Sequence, residues 1–161
     1  MTSKTLYIVR HGKSTWDYQE IKDIDRPLKE SGIQKTITMA NQVAAAGVPG
    51  IIYSSPAARA MHTALIIARE INYPVSKVVI NDLIYTGDTN DLEALIRKTE
   101  DIYDCMMIVG HNPMVSELAN LFLRNPVDEL PTSTCAAFCF SALTWEDVHA
   151  RNLISEELFT G

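Results

Sequence analysis

Short runs of apolar residues alternate along this chain with stretches in which apolar residues recur every three to four positions. Continuous runs are typical of strands that are covered on both faces, whereas the longer period indicates helices with one buried stripe. The predicted strands lie at residues 5–9, 51–53, 78–80, 106–109 and 137–143. Because strands alternate with helices, we expect a three-layer α/β/α sandwich with a central, mostly parallel sheet, closed at one edge by the last of these strands.

Capping residues and prolines mark the places where the helices should begin. Ser55-Pro56 and Asn112-Pro113 each combine a residue that favours the N-cap with a first-turn proline. Asn90 and Glu93 resemble a capping box ahead of another apolar stripe. No element is predicted after Trp145, because the pattern there is weak. The predicted helices span about residues 33–44, 55–71, 90–98 and 112–122.

Length, composition and charge exclude several classes of protein. The chain has 161 residues, of which 47% are hydrophobic and 21% charged, and this predicts one globular domain over residues 1–161. The net charge is −6 and no basic run occurs, so we expect no nucleic-acid partner. The longest apolar runs have about five residues, far fewer than the ~20 of a membrane span, so no membrane is expected either. Three cysteines and the lack of a secretory signal predict a cytoplasmic location.

Cationic and imidazole residues follow three of the predicted strands. Arg10 and His11 end the first strand, Arg59 lies in the first turn after the second, and His111 follows the fourth. Ligands of open α/β sheets bind outside the carboxyl ends of the strands, where helix N-termini also favour anions. We therefore expect these four side chains to converge in a positive pocket that is suited to a phosphoryl group.

Three motifs contain these residues, and their order along the chain is distinctive. They are Arg10-His11-Gly12 at the end of an apolar strand, the segment 54–63 around Arg59, and the segment 109–112 around His111. Together they resemble the histidine phosphatase superfamily, also called the phosphoglycerate mutase-like superfamily. Residues 10–16, 25–32 and 83–85 resemble more narrowly the SixA-type phosphohistidine phosphatases. The resemblance extends from residue 6 to about residue 140.

The resemblance implies a phosphatase that needs neither metal nor cofactor. His11 would take the phosphoryl group, and Arg10, Arg59 and His111 would bind it. An imidazole of ordinary pKa, about 6.5, is largely neutral at neutral pH, so one ring nitrogen can attack phosphorus while the other donates to a carbonyl. Further contacts with substrate are expected from Gly12, Ser14, Arg26 and Asn112.

Two positions depart from the pattern of this superfamily. His62 stands where relatives carry glutamine, either at the rim of the site or packed in the fold. Residues 81–86 contain no glutamate to act as general acid, which leaves Asp82, Tyr85 and Asp17 as candidates. A phosphorylated imidazole can be protonated on its own second nitrogen and needs an acid less than an alkoxide does. We therefore expect a phosphohistidine substrate, carried by a partner protein such as a phosphotransfer domain, with phosphate or its analogues as small ligands.

Two other functions remain possible at this point. One is a small-molecule phosphomonoesterase or mutase; the other is a catalytically silent binder of a phosphorylated ligand. A mutase needs a lid over its site. His111 follows Arg59 by only 52 positions (111 − 59), which leaves no room for such an insertion. A pure binder gains nothing from the neutral imidazole of His11.

Overall fold

One six-stranded sheet runs through the structure, a computed structural model that describes residues 2–161. The strands are β1 (Lys4–Arg10), β2 (Ile51–Ser54), β3 (Val79–Ile80), β4 (Cys105–Gly110), β5 (Thr134–Phe140) and β6 (Leu153–Thr160). Their order across the sheet is β3-β2-β4-β1-β5-β6. β1 to β4 are mutually parallel, whereas β5 is antiparallel to both β1 and β6. The predicted α/β fold with a mostly parallel sheet is thereby confirmed.

Helices cover both faces of this sheet. They are α1 (Glu30–Ala46), α2 (Ala58–Glu70), α3 (Leu83–Thr86), α4 (Thr89–Lys98) and α5 (Met114–Asn120). The alternation of side chains in β1 explains the two cores, since Leu6 and Ile8 pack with α3, α4 and α5 while Tyr7 and Val9 pack with α1 and α2. Across residues 2–161, none of the helices is long and apolar enough to cross a membrane.

The antiparallel end of the sheet differs from the prediction. β5 lies between β1 and β6, so the strand predicted at residues 137–143 is not an edge strand and begins earlier, at Thr134. The edge is β6, in the segment after Trp145 where no element is predicted. Only Phe159 of β6 is buried, because the rest of this edge strand faces solvent or the rim of the sheet. Its sequence therefore lacks a strong apolar pattern.

The capping box of α4 also lies elsewhere than predicted. Asp88 is the N-cap, and its carboxylate accepts the N–H of Asp91 at 3.0 Å while that of Asp91 accepts the N–H of Asp88 at 2.9 Å. The pair predicted from Asn90 and Glu93 is therefore wrong by two residues. A capping box usually has serine or threonine at the N-cap and glutamate or glutamine three residues later. Aspartate at both positions forms the same reciprocal pair of hydrogen bonds here.

Candidate active site

Three neighbouring parallel strands, β2, β4 and β1, end at the same edge of the sheet and bring the predicted residues together. Arg10 is the last residue of β1, His111 follows β4, and Arg59 lies in the first turn of α2. The N–H of His11 donates to the carbonyl of Gly110 at 3.1 Å, which ties the ends of β1 and β4 together. Arg10, His11, Arg59 and His111 all line one crevice of about 470 Å³.

His11 is held in a single protonation state by its surroundings. Its side chain is buried, and Nδ1 lies 2.6 Å from the carbonyl oxygen of Gly12. A carbonyl oxygen has no proton to give, so Nδ1 is the donor and Nε2 of the neutral ring carries a lone pair. Burial lowers the pKa of His11 to about 4; the bond to Gly12 acts in the opposite direction, and the positive charges of Arg59, Arg10 and Arg26 lower it further. The ring is therefore a free base at neutral pH.

His111 is anchored by a residue that the sequence analysis assigned to a different role. Its Nε2 lies 2.6 Å from the hydroxyl of Ser55. Ser55 is not the N-cap of α2 as predicted; its hydroxyl accepts the N–H of Ala57 at 3.1 Å in the turn before that helix. Burial, followed by the charges of Arg59 and His11, lowers the pKa of His111 to about 3. The two imidazole centroids are 5.3 Å apart, so both neutral rings face the same small volume.

Three buried side-chain nitrogens in residues 2–161 lack a hydrogen-bond partner, and all three belong to this crevice. They are Nε of Arg10, Nε of Arg59 and Nδ1 of His111. Another nitrogen of Arg10, Nη1, donates to the carbonyl of Leu130 at 2.7 Å, which holds its guanidinium in place. Buried polar groups in proteins are paired in the great majority of cases. Three orphaned donors in one crevice are what an anion with several oxygens would satisfy.

Asp23 is a charged residue of this site that the sequence analysis missed. Its carboxylate accepts hydrogen bonds from Arg59 Nη2 at 3.1 Å, Arg26 Nε at 3.1 Å and the hydroxyl of Tyr85 at 2.8 Å. Partial burial raises its pKa, but these three donors outweigh that effect and bring the pKa to about 2. Asp23 is therefore ionised at neutral pH and orients both guanidinium groups. Its position three residues before Arg26 was the available sequence signal.

Three of the predicted substrate contacts, Ser14, Arg26 and Asn112, line the same crevice. Arg26 donates from Nη1 to the hydroxyl of Ser14 at 2.8 Å, and its guanidinium stacks 3.4 Å from the ring centroid of Trp16. Asn112 precedes α5, which begins at Met114, and does not cap it as predicted. Its side-chain amide donates to the carbonyl of Leu130 at 3.3 Å, as Arg10 does. The contacts of Arg26 hold together the loop before α1, and that of Asn112 connects the start of α5 to the loop before β5.

Gly12 links the ring of His11 to helix α2 through its two backbone polar groups. Its N–H donates to the hydroxyl of Thr63 at 3.0 Å and its carbonyl accepts from His11, so both of its backbone groups are bound to protein atoms. A Cβ at Gly12 would lie 2.9 Å from the carbonyl oxygen of Gly32, and a Cβ at Gly32 would lie 2.5 Å from that of Lys13. Two glycines thus let the loop after β1 approach the first turn of α1, which places His11 above the ends of the strands.

The predicted candidates for a general acid are dispersed in the fold. Tyr85 lines a second cavity of about 590 Å³ next to the crevice, whereas Asp17 and Asp82 are exposed and line neither cavity. The bond from Tyr85 to Asp23 raises the pKa of this phenol, because it is donated to a carboxylate. His62 is half-buried and also lies away from both cavities, and burial lowers its pKa.

Solved structures with the same fold include two SixA proteins. The sequence pattern that describes the histidine phosphatase superfamily (branch 1) matches residues 6–82. The proposed phosphohistidine phosphatase SixA of Nakamurella multipartitia superposes with a TM-score of 0.75, at 21% identity over 98% of this chain and 96% of that protein. The proposed phosphohistidine phosphatase SixA of Agrobacterium tumefaciens superposes with a TM-score of 0.74, at 27% identity over 84% of this chain and 90% of that protein. The fold is therefore the phosphoglycerate mutase-like α/β fold of these proteins.

Two proteins with similar sequences align with different shares of this chain. An uncharacterized chloroplastic protein of Arabidopsis thaliana is 28% identical in an alignment of 158 residues that covers 92% of this chain and 72% of that protein. The 2,3-bisphosphoglycerate-dependent phosphoglycerate mutase of Bartonella bacilliformis is 33% identical in an alignment of 97 residues that covers 57% of this chain and 46% of the mutase. The match thus covers less than half of the mutase.

Proposed function

We propose that this chain, which belongs to the histidine phosphatase superfamily, is a phosphatase that works through a phosphohistidine intermediate on His11. The observation that carries the proposal is the 2.6 Å contact between Nδ1 of His11 and the carbonyl of Gly12. It assigns the ring proton to Nδ1 and leaves the Nε2 lone pair for attack on phosphorus. The pKa of about 4 means that no base is needed to deprotonate this ring at neutral pH.

The orphaned donors support a phosphate pocket around this nucleophile. Ser55 accepts from Ala57, and we place its own proton in the hydrogen bond to Nε2 of His111, which leaves the proton of that neutral ring on Nδ1. Nδ1 of His111 and Nε of Arg10 and Arg59 are then three N–H groups for the oxygens of a phosphoryl group. Donors that are already oriented stabilise the charge of a phosphoryl transition state without reorganisation.

The reaction follows in two steps. Nε2 of His11 forms a bond to phosphorus while the bond from phosphorus to the leaving nitrogen or oxygen breaks, and the leaving group departs with its electron pair. The oxygen of a water molecule then forms a bond to phosphorus while the bond from phosphorus to Nε2 of His11 breaks. The electron pair of that bond returns to Nε2, a proton of the water passes to solvent, and inorganic phosphate leaves the neutral imidazole. Through both steps the proton on Nδ1 stays hydrogen-bonded to Gly12, so the ring keeps one orientation.

The states of Asp23 and Tyr85, the carboxylate bound to Arg59 and the phenol bound to that carboxylate, support a substrate with a phosphorus–nitrogen bond. Asp23 has a pKa of about 2, and the phenol of Tyr85 has a raised pKa and already donates to Asp23, so neither is poised to protonate an alkoxide. A phosphorylated imidazole that is protonated on its second nitrogen leaves as a neutral ring. We propose phosphohistidine on a partner protein, as the names of the two SixA proteins also suggest.

The rim of the crevice supports a protein as the carrier of that phosphohistidine. Trp16 is 73% exposed although its ring stacks on the buried guanidinium of Arg26, and Tyr18 nearby is 59% exposed. Aromatic side chains of this kind are enriched in protein interfaces. A helical phosphotransfer domain would contact this rim, formed by Trp16 and residues 17–26 and 86–90, and thereby supply binding energy that a small substrate lacks.

A small-molecule phosphomonoesterase is the second candidate, favoured by the 33% identity to a phosphoglycerate mutase over 97 residues. The mutase reaction itself is less well supported. A mutase must retain and reorient its phosphoryl group beneath a lid. The residues between Arg59 and His111 belong to α2, β3, α3, α4 and β4 and their short connections, so no segment of this region is left to form one.

The test compares a phosphohistidine-bearing phosphotransfer domain with sugar phosphates. We expect kcat/KM for the protein substrate to be at least about 100-fold higher, some 2.7 kcal/mol of transition-state binding. His11→Ala should abolish turnover and the acid-labile phosphoenzyme while phosphate binding stays within about tenfold, and His149→Ala, outside the crevice, should change neither. Equal values for the two substrate classes would favour the phosphomonoesterase. Phosphate binding without any phosphoenzyme would favour a silent binder.

A further inference from the structure

A second cavity of about 590 Å³ adjoins the catalytic crevice. Arg59, His111 and Asn112 line both spaces, whereas His11 lines only the crevice. Phosphoryl transfer places the attacking and leaving atoms on opposite sides of phosphorus. Since His11 lines only the crevice and the shared residues line both spaces, the second cavity is an adjoining space that is open to the leaving group.

The walls of this cavity carry negative charge at the starts of two helices. Asp88 at the start of α4 and Glu117 in the first turn of α5 contribute their side chains. Oε2 of Glu117 accepts the hydroxyl proton of Thr89 at 2.5 Å, and this bond joins the two helix starts. The positive charge of Arg59 is already paired with Asp23. The cavity is thus acidic, and its acidic groups are held by bonds within the protein.

Apolar surface completes the cavity between the carboxylates and the crevice. Pro113 and Met114 line it, and Tyr85 meets the ring of His111 edge-on, with 5.5 Å between the ring centroids. A flat ring can pack against this surface while its polar edge faces the carboxylates. The space suits an imidazole or another small cyclic or amine group attached to phosphorus.

We propose that this cavity receives the leaving group and that Glu117, together with Asp88, makes the protein prefer neutral or cationic leaving groups to anionic ones. The proposal rests on His11 as nucleophile and adds the selection of substrate. A phosphoglycerate carries a carboxylate next to its phosphate and would be repelled here, since like charges oppose binding. An imidazole or a protonated amine would be attracted. The acidic wall therefore disfavours a phosphoglycerate as substrate.

The test is a series of three aryl phosphates that differ only in their para substituent: aminomethyl, methyl and carboxylate. At low ionic strength we expect kcat/KM to fall in that order, by about tenfold between the extremes. Glu117→Gln should reduce this ratio at least about threefold, and Glu117→Lys should reverse the order. Glu157→Gln makes the same change of charge on the exposed side of β6, outside both cavities, and should leave the ratio unchanged.

Two results would overturn the proposal. One is a wild-type protein that does not distinguish the three phosphates. The other is a Glu117→Gln protein in which all three values fall by the same factor, because a proton donor rather than a selective wall would behave in this way. If none of the phosphates is hydrolysed, the protein does not act on P–O bonds, which bears on the proposed function and not on this cavity; calorimetry with the three matching, non-hydrolysable arylphosphonates then measures the preference for charge.

Discussion

Mild acid should destabilise this protein through the two histidines of the crevice. Burial lowers the pKa values of His11 and His111 from 6.5 to about 4 and about 3. Between pH 6.5 and the lower values, the unfolded chain binds a proton on each ring and the folded protein does not. The free energy of unfolding is therefore highest above pH 6.5 and decreases as the pH falls through this window.

The size of the effect follows from the two pKa values. One unit of pKa corresponds to about 1.4 kcal/mol, so each ring should cost roughly 2 kcal/mol of unfolding free energy between pH 7.5 and pH 5. The two rings together amount to roughly 4 kcal/mol, which is a large part of the 5 to 15 kcal/mol that typically stabilises a domain.

Urea unfolding in phosphate-free buffer at these two pH values measures the effect. His11→Gln and His111→Gln replace each ring by a polar side chain that does not titrate, so each variant should lose roughly 2 kcal/mol less than the wild type. His149→Gln removes a histidine outside the crevice and should lose as much as the wild type. If His11→Gln behaved like the wild type, His11 would not be the buried free base that the nucleophile has to be.

Three further changes test the rest of the site. Arg59→Lys keeps the charge but loses the two guanidinium Nη groups that bind Asp23, so kcat/KM should fall by about 10² to 10³. A value within threefold of wild type would show that Arg59 takes no part in the reaction. Gly32→Ala places a Cβ 2.5 Å from the carbonyl oxygen of Lys13, so urea unfolding should show a loss of roughly 1 to 3 kcal/mol that the exposed Thr38→Ala does not share. Vanadate or tungstate should raise the Tm with increasing concentration, because only the folded state presents the three orphaned donors. A chelator should leave Tm and turnover unchanged; turnover that is lost on chelation and restored by a divalent cation would reveal a metal in the reaction.

The fold and the place of the main site residues could be predicted from the sequence alone. The apolar runs of β1, β2 and β4 are short and unbroken because these strands are covered on both faces, and such runs are readable without a structure. Since parallel strands share one carboxyl edge, Arg10-His11, Arg59 and His111 had to approach one another once their strands were identified. The strands with one exposed face, β6 above all, left no comparable pattern.

The hydrogen bonds and protonation states of these residues could not be predicted in this way, because they depend on contacts between distant parts of the chain. Asp23 and Arg59 are 36 positions apart, and Ser55 and His111 are 56 positions apart, so no local period relates the members of either pair. The lowered pKa of His11 likewise arises from burial and from arginines on separate elements. Periodicity records which face of an element is apolar, whereas the state of a proton depends on the dielectric and the charges that folding assembles around it.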